Sequence, residues 1–172
     1  MARMVEDEVT LPERLLPIDQ VLTVLAENAR RLVATTSGKA PAQLHTRPAI
    51  DGWSANDVLA HMRSCADVWG GCIEAIIAED RPTLRAVNPR TWIKGTNYPE
   101  LQFSESLRAF ASQRAELLAV LNQLPPKGWS RAATVTGAGS VLVRSAHFYG
   151  QWLARHERTH VRQIDRIVNA AR

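Results

Sequence analysis

His156-Glu157-Arg158-Thr159-His160, followed by Gln163-Ile164, is the stretch that decides how this chain is organised. On a helix, residues four apart lie on one face about one turn from each other, so His156 and His160 can offer imidazole nitrogens to one ion. Two ligands alone make a poor metal site, and the best candidate for a third is His61, on a different predicted helix. The pattern therefore predicts a fold that brings two distant helices together at three histidines.

Four segments carry the apolar spacing of long amphipathic helices, which indicates an all-α four-helix bundle. The first has a capping box at Thr10-Leu11-Pro12-Glu13 and an apolar stripe that ends near Gly38. The second opens at Trp53-Ser54, with Ser54 as its N-cap, and repeats apolar residues from Val58 to Ile76. A stripe of that length implies packing against other helices along the whole element.

The third and fourth helices lie in the second half of the chain. Ser104 is the predicted cap of the third helix, whose shared face includes Arg114 and which ends at Pro125-Pro126. The fourth is predicted from about Ser145 to Asn169 and carries the histidine pair.

The connections between these helices are long. Residues 39–52 contain two prolines and are predicted to be an irregular crossing. Residues 81–103 lose all periodicity, and loops of that length usually serve a site. Trp92 and Tyr98 in this loop either cover a pocket or anchor the loop as ordinary hydrophobic contacts. Residues 129–144 form either a small β-hairpin or an extended crossover.

Length and composition indicate one domain, residues 1–172, with a core over about 18–170, because 172 residues with 45% hydrophobic content bury one substantial core. The net charge of +4 comes from scattered arginines and three lysines, without interleaved exposed aromatics, so we expect no nucleic-acid partner. No apolar run of about 18 residues and no signal segment occurs. These absences predict a cytoplasmic protein without a membrane partner.

The remaining cysteines and histidines carry weaker signals. Cys65 and Cys72 lie roughly 10 Å apart along one helix, too far for a disulfide, and are predicted to be buried thiols. His147 falls on the opposite side of the last helix from His156 and is predicted to be a surface or capping residue. His45 has no partner that the sequence identifies.

The stretch from His156 to His160 also matches the H-E-x-x-H pattern of zinc proteases, in which the glutamate is a general base. That class expects a further ligand downstream and a substrate-binding strand upstream. Only twelve residues follow His160 in the 172-residue chain, and Asp165 is too close on the same helix to complete a site. The pattern therefore favours another kind of metal site.

With the three histidines in view, the chain resembles the DinB-like family of metal-binding four-helix bundles. The segment from Trp53 to His61 is similar to that family's Trp-Ser entry to the second helix and its first ligand. The segment from His156 to Ile164 is similar to its His-x-x-x-His-x-x-Gln-Ile close. The likeness extends over roughly residues 18–170.

This resemblance implies an up-down-down-up bundle, often homodimeric, that holds a divalent ion, commonly zinc or nickel, on His61, His156 and His160. Relatives include thiol-dependent S-transferases and the N-terminal domains of mycothiol-dependent maleylpyruvate isomerases, which use low-molecular-weight thiols, and some metal-dependent hydrolases. The sequence carries no independent mark of a thiol cofactor.

The resulting hypothesis is a metal-dependent transferase or hydrolase that acts on a small molecule through a metal-activated thiol or water. Glu157 is a candidate base beside His156, or else faces solvent in an ion pair with Arg158 or Arg162. Gln163 is a candidate for orienting a ligand or substrate. The alternative is a non-catalytic, stress-associated protein with a structural ion, which a fourth protein ligand would favour.

Overall fold

Four long helices form the body of the computed structural model, which describes residues 14–48 and 52–170. They are α1 (Ile18–Thr36), α3 (Ala55–Ala78), α5 (Phe103–Gln123) and α7 (Ala146–Ala170). Short helices occur in the connections: α2 (Pro41–His45), α4 (Pro89–Trp92) and α6 (Pro126–Trp129). The strands are β1 (Thr83–Arg85), β2 (Ala132–Ala138) and β3 (Ser140–Ser145).

The observed N-caps agree with the sequence predictions for one helix and differ for another. The Ser54 hydroxyl accepts a hydrogen bond from Asp57 N at 3.0 Å, and Ser54 N donates to Asp57 Oδ2 at 2.9 Å, so the predicted start of α3 is confirmed. The prediction for α5 is wrong by two residues, because Gln102 is the N-cap and buried Phe103 is already helical. The box at 10–13 lies outside the described residues, and α1 begins only after Pro17.

Contacts along the helices establish the predicted up-down-down-up order. Positions ascend together in α1 and α7, as in the hydrogen bonds Asn28–Ala154 and Lys39–Asn169. They run in opposite directions in α3 and α7, as in the ring contacts His61–His156 and Trp69–Trp152. They ascend together again in α3 and α5, as in Arg63–Ser106 and Asp67–Gln113.

The long connections follow from this order. Because α3 and α5 run parallel, residues 79–102 must return along the bundle before α5 can begin. The predicted hairpin is confirmed by antiparallel pairing of β2 with β3. The sequence missed β1, which pairs in parallel with β2, and it missed α2 in the first crossing.

Two apolar clusters fill the bundle, and they meet along α3. One contains Leu59 and Met62 with Ile164 of α7, and the other contains Ile73 with Leu153 of α7. His61 and Cys65 lie on the part of α3 that contributes Leu59, Met62 and Ala66 to the first of these clusters. Among the described residues, no helix is both long and apolar enough to cross a membrane.

Candidate metal centre

The three predicted histidines meet where α3 packs against α7. The Nε2 atom of His156 lies 3.4 Å from Nε2 of His61 and 3.1 Å from Nε2 of His160. His61 is 7% exposed, and the edge of its ring contacts Trp53 with the centroids 5.3 Å apart. Trp69 packs against His156 in the same edge-on way, at 4.9 Å. Indole rings therefore flank the cluster on the α3 side.

Gln163 fixes the orientation of His160. The Nδ1 atom of His160 lies 2.8 Å from Gln163 Oε1, which can only accept a hydrogen bond. The proton of neutral His160 is therefore on Nδ1, and its Nε2 presents a lone pair toward His156. This contact places Gln163 one turn beyond His160, as the sequence indicated.

Cys65 also belongs to this cluster. The sequence predicted only that it is a buried thiol. Its Sγ atom lies 3.5 Å from Nε2 of His61 and 3.9 Å from Nε2 of His156. Sγ and these two nitrogens all lie within 4.8 Å of one another. The signal was present, since Cys65 follows His61 by four residues on the same helix, but it required knowledge of how α7 packs.

These separations fit a tetrahedral ion. Bonds of about 2.05 Å to nitrogen and about 2.3 Å to sulfur place tetrahedral ligands about 3.3 Å apart for two nitrogens and about 3.6 Å for nitrogen and sulfur. The observed 3.1 and 3.4 Å between nitrogens, and 3.5 and 3.9 Å from sulfur to nitrogen, lie near those values. The donor set consists of imidazoles and a thiol, which suits a transition-metal ion better than magnesium or calcium.

The surroundings keep the imidazoles neutral. Burial, the charge of His160 and Arg90 lower the pKa of His61 to about 4. Burial, His160 and His61 lower that of His156 to about 3. The pKa of His160 is lowered as well, mainly by burial, against the effect of its hydrogen bond to Gln163. Burial raises the pKa of the Cys65 thiol far above its usual range. Neutral imidazoles are the form that binds a metal.

Glu157 lies in the interior of the bundle. Its side chain is fully buried, and its Oε1 accepts a hydrogen bond from Nη2 of the equally buried Arg114 on α5. The predicted alternative, a solvent-exposed ion pair with Arg158 or Arg162, is wrong, because α7 turns this carboxylate into the bundle. Burial raises the pKa of Glu157, and the charge of Arg114 opposes that rise.

The loop aromatics are held by one carboxylate on α3. Trp92 Nε1 donates to Asp67 Oδ2 at 3.2 Å, and the Tyr98 hydroxyl donates to the same oxygen at 2.7 Å. Gln113 donates to the other oxygen of Asp67 at 3.0 Å. The indole of Trp92 nevertheless remains 47% exposed. The loop is thus attached to the bundle through polar contacts rather than through buried rings.

The other two histidines lie apart from the cluster. His147 contacts the carbonyl oxygen of Leu16 through Nε2 at 2.7 Å and packs against Trp129. His45 accepts a hydrogen bond from Phe103 N at 3.4 Å, which joins α2 to the start of α5. Both therefore connect structural elements.

The chain is similar to a known protein family and to solved structures. The model of the DinB superfamily matches residues 24–164. YfiT from Bacillus subtilis, described as a probable metal-dependent hydrolase with an unusual four-helix bundle topology, is 18% identical with a TM-score of 0.70. That alignment covers 91% of this chain and 92% of YfiT. No curated protein matches the chain.

A second solved structure is the mycothiol-dependent maleylpyruvate isomerase, at 15% identity and a TM-score of 0.64. The alignment covers 87% of this chain but 61% of the isomerase, so the chain spans less than two thirds of that protein. At such identities the likeness to both structures concerns the fold.

Proposed function

The chain belongs to the DinB superfamily, and on that premise we propose that it is a metal-dependent hydrolase or transferase of small molecules. His61, His156 and His160 would hold the divalent ion. The observation that carries this proposal is that Nε2 of His156 lies 3.4 Å from Nε2 of His61 and 3.1 Å from Nε2 of His160. A cation bound by the Nε2 lone pairs would satisfy these buried imidazoles together.

A divalent ion bound there would lower the pKa of a water or thiol in an open coordination position. Gln163 would hold the lone pair of His160 toward the ion. Trp53 and Trp69 would restrict water around His61 and His156. Glu157 would act indirectly, since its contact with Arg114 fixes the rotation of α7 from which His156 projects.

Relatives support both reaction types. The hydrolase description belongs to YfiT and the thiol-dependent one to the isomerase, so the nucleophile of this chain is proposed to be either a water or a low-molecular-weight thiol. Zinc and nickel are the proposed ions, and a homodimer in the cytoplasm is the proposed setting. Light scattering of the purified protein tests the dimer directly.

Cys65 favours a second candidate, a non-catalytic protein with a structural ion. Its sulfur lies within reach of the same ion as His61 and His156. If sulfur and three imidazoles all bind, the tetrahedral site is closed, as structural zinc sites are. The two candidates therefore differ in one bond, between Cys65 and the ion.

The test is the absorption spectrum of the protein loaded with Co²⁺. For the catalytic proposal we expect weak d–d bands that change when a small thiol is added, without a thiolate-to-metal charge-transfer band before that addition. Cys65→Ser should then leave the spectrum unchanged. An intense near-ultraviolet charge-transfer band that disappears in Cys65→Ser, with no response to added thiol, would establish the structural candidate.

Activity completes the test. The metal-loaded protein is assayed with a panel of activated esters, amides and thiol-acceptor substrates. Turnover that requires the ion and is lost in His160→Ala supports the proposal. Loaded protein with no turnover across both reaction types would contradict it.

A further inference from the structure

Arg90 is a cation on the long connection between α3 and α5, and it lies near the metal centre. It lies on α4, is exposed, and its guanidinium carbon lies 5.7 Å from the ring centroid of Trp53. Trp53 in turn contacts His61. Two ring contacts, Arg90 with Trp53 and Trp53 with His61, therefore place the guanidinium one aromatic ring away from a predicted ligand of the ion.

The surrounding carboxylates have other partners. The ion pairs found among the described residues join Arg47 to Asp57, Arg81 to Asp80 and Arg114 to Glu157, and none includes Arg90. Asp67, the acid that fastens the loop, already accepts hydrogen bonds from Trp92, Tyr98 and Gln113. Within the described part of the chain, no acidic group is paired with this guanidinium.

An unpaired arginine beside a dication is electrostatically unfavourable until an anion joins them. Two positive charges repel, and three neutral imidazoles do nothing to offset that repulsion. An anionic group that lies between the ion and the guanidinium would remove this repulsion. Guanidinium is suited to this task, because its fork donates two parallel hydrogen bonds to one carboxylate.

We propose that Arg90 binds a carboxylate of the substrate, so that the molecule on which the metal centre acts is a small organic acid. This inference rests on the proposed function, since it assigns the substrate class of the same site. The Trp53 ring lies within cation–π range of the guanidinium. A carboxylate is favoured over a phosphate because it carries the single negative charge that one guanidinium neutralises, whereas a phosphate monoester carries about −1.5 to −2 near pH 7.

The probe is acetate titrated into the Co²⁺-loaded protein, followed by the shift of the d–d bands. Arg90→Ala should weaken acetate binding about tenfold or more, the usual effect of losing a charged hydrogen bond. Arg90→Lys, which keeps the charge but not the fork, should fall between that variant and the natural protein. The matched control is Arg81→Ala, an exposed arginine of the same connection, which should bind acetate normally.

The affinity of Arg90→Ala for Co²⁺ should change in the opposite direction from its affinity for acetate. Without any anion, Arg90→Ala should bind Co²⁺ more tightly than the natural protein, because a nearby positive charge has been removed. Tighter metal binding together with weaker acetate binding supports the proposal, and a general loss of structure cannot produce both. Since Arg90 is exposed, we expect unchanged helical circular dichroism.

Three results would overturn the assignment. Equal acetate affinity in Arg90→Ala and the natural protein would show that Arg90 does not bind the anion, although the proposed function would stand. Phosphate binding that depends on Arg90 more strongly than acetate binding would replace the carboxylate by a phosphate. Failure of the natural protein to bind Co²⁺ at all would remove the proposed function and this inference with it.

Discussion

Two polar clusters lie side by side inside this bundle, and adjacent residues of α7 belong to them. Glu157 pairs with Arg114 in the interior, and both side chains are almost completely buried. His156 faces α3 and meets two further imidazoles. The first cluster contains its own counter-charge, whereas the second brings together neutral imidazoles and a thiol, which are ligands of transition-metal ions. A self-neutralised cluster serves the fold, and an incomplete one indicates a ligand from outside.

The largest expected effect is a loss of stability when the buried ion pair is broken. Arg114→Ala should destabilise the protein by about 3–5 kcal/mol, because it leaves the Glu157 carboxylate buried without a partner. Urea unfolding measures this change. The control is Arg166→Ala, an exposed position on α7, which should cost less than about 0.5 kcal/mol. A loss of under 1 kcal/mol for Arg114→Ala would mean that the buried pair does not support the fold.

The next effect concerns the ion and stability. The apolar clusters fill the bundle without any metal, so chelation should leave the helical circular dichroism nearly intact. Added zinc at a hundred times its dissociation constant should stabilise the protein by about 2.7 kcal/mol through linkage alone. Thermal melts with zinc and with EDTA test this. Collapse of the helical signal on chelation would favour the structural candidate.

Removing the carbonyl that orients His160 should have a smaller effect. Gln163→Ala leaves all three imidazoles in place but frees the Nδ1 proton of His160. We expect metal affinity to fall about 10- to 100-fold, as for other partners of metal-binding histidines. Competition with a chromogenic chelator gives the value, and Gln163→Glu, which can still accept the hydrogen bond, should retain tighter binding than Gln163→Ala. Equal affinity in all three proteins would show that the contact is incidental.

The smallest effect concerns pH in the metal-free protein. The pKa values of His61 and His156 fall to about 4 and about 3 on folding, from 6.5 in the unfolded chain. The unfolded state therefore binds more protons as the pH falls below 6.5, so acidification favours unfolding. Urea unfolding with EDTA should show lower stability at pH 5.5 than at pH 7.5. His156→Gln should reduce that difference, and an unchanged difference would contradict the assigned shifts.

Most of the fold follows from local patterns in the sequence. The Ser54 cap and the apolar stripe of α3 act within one helix, and the two strands of the hairpin are close in sequence, so both were predictable. Strand β1 was not, because three residues carry little signal and their partners in β2 lie about fifty residues away. The start of α5 depends on burying Phe103, which also requires tertiary packing.

The metal centre, like the fold, was predictable from the sequence only in part. Spacing within α7 predicted that His156 and His160 share a face, and the need for a third ligand pointed to His61 on another predicted helix. Cys65 and the Glu157–Arg114 pair depend on the rotation of α7 against α3 and α5, and no single-helix pattern contains that rotation. Residues beside Glu157 in the sequence suggested a solvent-exposed pair, whereas its true partner lies on another helix.

If the three imidazoles form one ion site, the metal content of purified protein should show it. After loading with zinc and dialysis, elemental analysis should find about one divalent ion per chain. Because Cys65 could replace His160, the test variant is His160→Ala combined with Cys65→Ser, which should lose most of the ion, since two imidazoles bind far more weakly than three ligands. The control His147→Ala, a histidine of α7 outside the cluster, should keep its ion. Full retention of metal by the double variant, or a natural protein that holds none, would contradict an ion site at these histidines.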